Sequence, residues 1–162
     1  MTVGDTDDFL EIFSDPVAMK YFGVIFDRPK MEKWVQENLD HHEEHGFSLM
    51  TVVLKDSNEI IGDCGLETTT IDGELVVGIG FDFKSRHWNQ GYATEAALAV
   101  IQFGFTSHNF DKISGWIDPN NAPSQRVAEK AGMSLEKYVM RGPKKYGLYS
   151  VSRRDRDNPV SM

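Results

Sequence analysis

Residues 81–97 read FDFKSRHWNQGYATEAA, and this stretch decides the fold. An apolar strand at its start runs through a loop that contains Gly91 directly into a helix. The first turn of such a helix presents unpaired backbone N–H groups, here from about Gln90 to Thr94, and Gly91 has no Cβ to keep a ligand off the main chain. The junction is therefore able to hold a diphosphate, although a plain turn role for Gly91 explains the same residues equally well.

The segments on either side of this junction alternate between helical and strand periodicity. On the N-terminal side the pattern predicts helices that begin at Thr6 and Pro29, then strands over 47–54, 60–66 and 75–83. On the C-terminal side it predicts a helix over 94–105, a strand over 113–117, a helix capped by Asn121, and strands over 135–140 and 146–152. We therefore expect an α/β (α+β) fold, in which helices flank one mixed, mostly antiparallel central sheet.

Composition limits the class of protein and of partner. The 162 residues predict a single domain over 1–153 and a flexible tail over 154–162. The 25 acidic and 17 basic residues give a net charge of −8, which disfavours nucleic acid and anionic membranes as partners. Cys64 is the only cysteine, and neither a leader nor a membrane-spanning apolar run is visible, so we expect a cytoplasmic protein.

Two ordered motifs carry a resemblance to a known family. Residues 88–96 read WNQGYATEA, and residues 118–132 read DPNNAPSQRVAEKAG. Together they resemble the GCN5-related N-acetyltransferase (GNAT) superfamily, particularly its ribosomal-protein N-terminal acetyltransferase branch, and the likeness extends over about residues 1–153. The resemblance implies transfer of an acetyl group from acetyl-CoA, as co-substrate, to a primary amine by direct attack in a ternary complex, with no metal.

The same resemblance implies which residues bind acetyl-CoA. Main-chain amides cradle the CoA diphosphate at Gln90, Gly91, Tyr92, Ala93 and Thr94. The preceding strand splays from its neighbour, and backbone groups of Phe81 and Phe83 meet the pantetheine arm and the acetyl carbonyl. Asn121 reaches the pantetheine arm, although it can also serve only as a helix cap. The cations beside the diphosphate are Arg86, His87, Arg126 and Lys130, of which Lys130 can equally be a plain helix C-terminal cation.

Two catalytic roles follow. Ser124 matches the hydroxyl that protonates the departing thiolate, while Ala128 stands where many members carry a tyrosine acid. Either Ser124 or water must then act as the acid, with Tyr138, Tyr146 and Tyr149 as backup donors. The amine must be neutral to attack, so a carboxylate is needed as base near the strand ends. Glu67, expected just past the strand over 60–66, is the first candidate and Asp82 the second.

One departure from the family pattern lies at the start of the chain. Family members usually open with an edge strand, whereas here the first helix begins almost at Met1, so we expect the first edge strand to be absent. An open sheet edge favours pairing with a second chain, which makes a homodimer a hypothesis. The acceptor is a protein N-terminus, an amino acid or a small amine. The alternative function is a non-catalytic acyl-CoA-binding or sensory module.

Overall fold

One mixed sheet of six strands organises the chain in the computed structural model, which describes residues 1–157. The strands are β1 (Leu49–Val53), β2 (Ile60–Ile71), β3 (Glu74–Phe83), β4 (Lys112–Ile117), β5 (Ser134–Arg141) and β6 (Lys144–Ser152). Their order across the sheet is β1-β2-β3-β4-β6-β5. Strands β3 and β4 run parallel, with Gly78 opposite Ser114, whereas β1 with β2, β4 with β6, and β5 with β6 are antiparallel. The predicted mixed, mostly antiparallel sheet is confirmed.

Five helices accompany the strands in the described residues: α1 (Thr6–Phe13), α2 (Arg28–His45), α3 (Tyr92–Ser107), α4 (Ala122–Lys130) and α5 (Arg153–Asp157). Helix α2 begins where the Lys30 N–H donates to Asp27 Oδ1 at 3.0 Å, and it ends at Gly46, whose φ is 78°. None of the helices within residues 1–157 is long and apolar enough to cross a membrane. Helix α5 occupies the start of the segment predicted as a flexible tail, and residues 158–162 lie outside the described part.

A two-residue turn joins β2 to β3. Asp72 and Gly73 have φ values of 51° and 83°, as a type I′ hairpin turn requires. The predicted end of β2 at Leu66 is wrong, because the strand continues to Ile71. Just before its last residue, Ile71, the strand contains three threonines at 68–70, whose β-branched side chains favour the extended backbone. Glu67 consequently lies inside β2 and not beyond its end.

The first of two compact units comprises Met1–Glu67 and Gly80–Ala93. Its core joins α1 to α2 through Phe9, Ile12, Phe13, Met19, Met31 and Val35. The rings of Phe9 and Trp34 meet edge to face, with centroids 5.6 Å apart. Burial of each large apolar side chain of this kind stabilises a fold by about 1.5–3 kcal/mol. These contacts place α1 firmly against its neighbours, and α1 in turn carries acidic residues of the candidate site.

The second unit comprises Thr68–Ile79 and, within the described part of the chain, residues 94–157. Ile71, Val139 and Leu148 are buried together, and Val76, Trp116 and Tyr146 pack against them. The Arg141 guanidinium lies 3.8 Å from the centre of the Trp116 ring. This unit therefore has an apolar cluster of its own.

The sheet has β1 at one edge and β5 at the other. Within residues 1–157 the first element of the chain is a 3₁₀ turn over Val3–Asp5, which leads directly into α1. A homodimer that pairs through a sheet edge stays a prediction.

Candidate active site

The loop before α3 exposes its main chain. Gly91 has a φ of 88°, and a Cβ built on it would meet nothing within 4 Å. The preceding Asn89 also has a positive φ, of 61°, so two residues of this short loop turn their amides in ways that an extended or helical chain does not. Gln90 is exposed, and Tyr92 and Ala93 at the start of α3 are half-buried. The result is an open stretch of backbone at a helix N-terminus, the environment that suits a phosphate group.

Trp88 fixes this loop to the end of β3. Its indole Nε1 donates to the Phe83 carbonyl oxygen at 2.9 Å, while the Phe83 side chain is buried. The Phe83 carbonyl therefore already accepts one hydrogen bond, and its second lone pair and the Phe83 N–H are the other backbone groups through which Phe83 can contact a ligand. Phe81 is half-buried. The sequence analysis missed the role of Trp88, since nothing in the sequence identifies the acceptor of its indole N–H.

The structure pairs two of the predicted phosphate-binding cations with carboxylates. Arg86 Nη2 lies 2.8 Å from Glu59 Oε1, and its Nη1 contacts Glu11. His87 Nε2 lies 3.0 Å from the same Glu59 oxygen. Hydrogen bonds from His87 and Arg86 lower the pKa of Glu59 to about 2. These cations consequently hold the 3₁₀ turn over Ser85–His87 to its neighbours instead of standing free. Lys130 is exposed at the end of α4.

Helix α4 presents the proposed acid. Asn121 Oδ1 accepts the Ser124 N–H at 3.2 Å, which confirms the predicted cap. The Ser124 side chain is partly buried, and its hydroxyl makes no hydrogen bond within residues 1–157. Ala128, one turn later, is buried. Among the backup donors Tyr149 is buried, and its pKa is raised by desolvation and by the charge of Glu129, so it keeps its proton at neutral pH.

The two candidate bases, Glu67 and Asp82, lie near a third carboxyl, that of Asp63, whose role was not predicted from the sequence. Asp63 is on β2, four residues before Glu67, so the two side chains lie on the same face of that strand. Asp63 is 0% exposed, and neither of its carboxyl oxygens has a hydrogen-bond partner among residues 1–157. Asp82 on β3 is only partly buried. A buried polar group without a partner is rare, so Asp63 calls for an explanation.

Burial and mutual repulsion hold protons on this cluster. Desolvation raises the pKa of Asp63 well above its usual value, and the charges of Asp82 and Glu67 raise it further. Desolvation, followed by the charge of Glu67, raises the pKa of Asp82 to about 7. Two carboxylates about 5 Å apart repel by roughly 3 kcal/mol at an effective dielectric of about 20, so simultaneous ionisation is unfavourable. Burial and the neighbouring charges thus favour the protonated form of Asp63, and Asp82 is poised to gain or lose a proton near neutral pH.

A second missed residue is Lys84, directly after β3. Its side chain is only 3% exposed, and its Nζ lies 2.6 Å from Asp8 Oδ1 and 3.0 Å from Glu11 Oε2. Ser85 Oγ donates to Asp15 Oδ2 at 2.8 Å. Helix α1 and Asp15, two residues beyond its end, therefore hold the start of the loop that leads to Gly91. No local sequence signal identifies Lys84 as buried, because its partners lie more than 70 residues earlier in the chain.

Comparisons with known proteins agree with this picture. The family model described as the acetyltransferase (GNAT) domain matches residues 1–134. An uncharacterized protein of Bacillus subtilis, YkkB, is 37% identical over 138 residues, which are 85% of this chain and 80% of YkkB. An uncharacterized N-acetyltransferase of Bacillus licheniformis, p20, is 30% identical over 139 residues, or 84% of this chain and 77% of p20.

Solved structures show the same fold. The crystal structure of an acetyltransferase of the GNAT family from Bacillus anthracis superposes with a TM-score of 0.80 at 27% identity, over 95% of this chain and 92% of that one. The family match covers more than half of the chain, and it includes both motifs up to Gly132. The ribosomal-protein branch stays a prediction. On this evidence the chain belongs to the GNAT acetyltransferase family.

Proposed function

We propose that this protein is an N-acetyltransferase that moves the acetyl group of acetyl-CoA to a primary amine by direct attack in a ternary complex. The observation that carries the proposal is the bare main chain around Gly91 at the N-terminus of α3, in a chain that belongs to an acetyltransferase family. A cradle of this kind suits the CoA diphosphate, because backbone amides and the helix dipole both favour negative charge.

The donor is bound mainly through the backbone. Residues 90–94 supply amides to the diphosphate, and Phe81 and the Phe83 N–H supply backbone contacts to the pantetheine arm. Asn121 adds a side-chain contact through its amide nitrogen, since its Oδ1 accepts the Ser124 N–H. Lys130, which is exposed, attracts the phosphates at longer range. The backbone contacts near the acetyl carbonyl also stabilise the oxyanion that forms during attack.

Two proton transfers complete the reaction. The acceptor enters as an ammonium ion and loses a proton to a carboxylate, for which Glu67 and Asp82 are the candidates. The free amine attacks the thioester carbonyl, the tetrahedral oxyanion collapses, and the C–S bond breaks to release the CoA thiolate. Ser124, whose hydroxyl has no partner within residues 1–157, delivers a proton to the thiolate directly or through water. A thiolate is a good leaving group, so this acid contributes less than positioning does.

The acceptor is a primary amine: a protein or peptide N-terminus, an amino acid or a small amine. The acidic surface, with a net charge of −8, favours acceptors that arrive as cations. A cytoplasmic location and a homodimeric state complete the proposal.

Calorimetry with acetyl-CoA, combined with a thiol-release assay on a pool of amines and N-terminal peptides, tests the proposal. We expect binding in the micromolar range and free thiol that appears only when an active amine is added. Binding without thiol release from any amine in a broad pool points instead to the non-catalytic acyl-CoA-binding module. The observation that favours this module is Ala128, which leaves α4 without a tyrosine acid. Absence of binding by the folded protein overturns both.

A further inference from the structure

The register of the β2–β3 hairpin brings Asp63 and Asp82 face to face. The two-residue turn pairs Ile71 with Glu74, and the Lys84 N–H donates to the Ile61 carbonyl at 2.9 Å near the other end. Both ends give the same register, in which Asp63 lies directly opposite Asp82, with Cα atoms about 5.5 Å apart. Opposite residues of an antiparallel pair point to the same side of the sheet. The carboxyls of Asp63 and Asp82 are therefore neighbours.

The groups beside this pair are engaged elsewhere. Thr51 on β1 is opposite Asp63 on its other side, but its hydroxyl donates to Asp5 Oδ2 at 2.7 Å. Lys84 lies two residues after Asp82 on the same face, and its ammonium group binds α1. The charged groups around the pair are Glu67 on β2, Lys84 directly after β3, Asp8 and Glu11 on α1, and Asp5 in the 3₁₀ turn. No cation within residues 1–157 neutralises Asp82.

Only one member of the pair is open to a substrate. Asp63 is fully buried, at 0% exposure, and neither of its carboxyl oxygens has a hydrogen-bond partner within residues 1–157. Asp82, in contrast, is partly exposed. Asp63 and Asp82 form no ion pair within residues 1–157, so this pair of carboxyls is complementary to a cationic ligand such as an acceptor ammonium group. We propose that Asp82 is the group that takes the proton from the acceptor ammonium, with Glu67 on the same face of the sheet as a positioning residue, an inference that rests on the proposed function.

In each turnover one proton passes from the acceptor ammonium through Asp82 to solvent. An N–H bond of the ammonium breaks, its electron pair stays on nitrogen, and the proton forms an O–H bond on the Asp82 carboxylate. After attack the nitrogen loses a second proton, which is matched by protonation of the CoA thiolate. Asp82 then releases its proton to solvent, so one proton leaves per turnover. The pKa of about 7 that burial and Glu67 give Asp82 suits a base of this kind at neutral pH.

The proposal is tested with Asp82→Asn, Glu67→Gln and the wild type, using the pH dependence of kcat/KM for an amine that is active in the thiol-release assay. We expect the wild-type rate to fall below pH about 7 as Asp82 becomes protonated. Asp82→Asn removes this acidic limb of the pH profile and lowers kcat by about 100-fold or more, while acetyl-CoA binding measured by calorimetry stays unchanged. Glu67→Gln keeps the rate at high pH but moves the limb down by roughly one pH unit, because the neighbouring charge is gone.

The controls separate this result from other causes. Glu43→Gln, the same change of charge on an exposed residue of α2, is expected to leave the limb in place. A second amine with a different pKa identifies the limb that belongs to the substrate, because only that limb moves. Carboxyl NMR of Asp82 measures the same titration without any acceptor.

The outcomes are distinct. If Glu67→Gln abolishes the limb and Asp82→Asn does not, Glu67 is the base and the proposal is wrong, although the acetyltransferase function stands. A titration of Asp82 below pH 5 also overturns the proposal. If the wild type releases no thiol with any amine, the proposed function fails, and with it this assignment.

Discussion

Gly91 and Gly132 have the same backbone conformation, and this makes them a matched pair at the scale of single residues. Both have a φ of 88°, and a Cβ on either would meet nothing within 4 Å. Alanine at such a φ is strained by roughly 1–2 kcal/mol. We therefore expect Gly91→Ala and Gly132→Ala to lower the free energy of unfolding by similar amounts, while only Gly91→Ala weakens acetyl-CoA binding. Urea unfolding and calorimetry on the two variants measure these effects. Equal loss of binding in both would count against the cradle at Gly91.

Residue roles that depend on one short motif could be predicted from the sequence. Roles that depend on the register of two paired strands were missed. The left-handed turn at Gly91 and the cap at Asn121 follow from residues within a few positions of each other. Asp63 was missed because its partner, Asp82, is distant in the sequence. A signal was nevertheless present: the two-residue turn at Asp72-Gly73 fixes the register, and counting outward from it places Asp63 opposite Asp82.

At the scale of elements, the buried Lys84 ammonium connects α1 to the end of β3. Burial alone would lower the pKa of Lys84, but the hydrogen bonds that its ammonium group donates to Asp8 and Glu11 outweigh burial and raise the pKa. Removal of both carboxylates in the double variant Asp8→Asn, Glu11→Gln leaves a buried charge without a partner. We expect a loss of about 2–3 kcal/mol, because the carboxylates are partly exposed. Lys84→Met removes the charge itself and should cost less. Urea midpoints give the order, and a larger loss for Lys84→Met would contradict it.

The elements show where sequence patterns reach their limit. The helices and the hairpin turn could be located from caps, glycines and apolar spacing, since these signals are local. The end of β2 was misplaced because three threonines in a row look polar, although the partner strand β3 continues to pair beside them. The contacts of Arg86 with Glu11 and Glu59 join residues far apart in the chain, and a basic residue beside a phosphate loop has the same sequence signature as one bound to carboxylates.

At the scale of the whole molecule, two groups of carboxyls make stability depend on pH in opposite directions. In the first group the folded-state pKa is lowered, and its members are Asp5, Glu11, Glu59, Asp118 and Glu136. The stability that they contribute is present above their unfolded pKa values and is lost as the pH falls through the folded ones. In the second group, Asp63 and Asp82, the folded-state pKa is raised.

The raised pKa values of Asp63 and Asp82 predict that the free energy of unfolding falls as the pH approaches neutrality. Above pH about 4 the unfolded chain releases the protons of Asp63 and Asp82 while the folded protein keeps them, so the folded state binds more protons and the free energy of unfolding falls as the pH rises. Each such proton contributes a slope of about 1.4 kcal/mol per pH unit. For Asp82 this slope ends near pH 7, and for Asp63 the raised pKa gives a slope of the same sign. Stability should therefore be greatest near pH 4–5, where neither group of carboxyls opposes folding strongly.

Asp63→Asn isolates one proton of this slope. The asparagine cannot ionise, so above the unfolded pKa of about 4 the variant should lose stability less steeply than the wild type, by at most about 1.4 kcal/mol per pH unit. Its absolute stability depends also on how the buried amide is accommodated, and for this reason the slope is the informative quantity. Urea unfolding followed by fluorescence at several pH values measures it. Parallel slopes for the two proteins would mean that Asp63 is ionised in the folded state. This result would contradict the assignment of a protonated carboxyl beside Asp82.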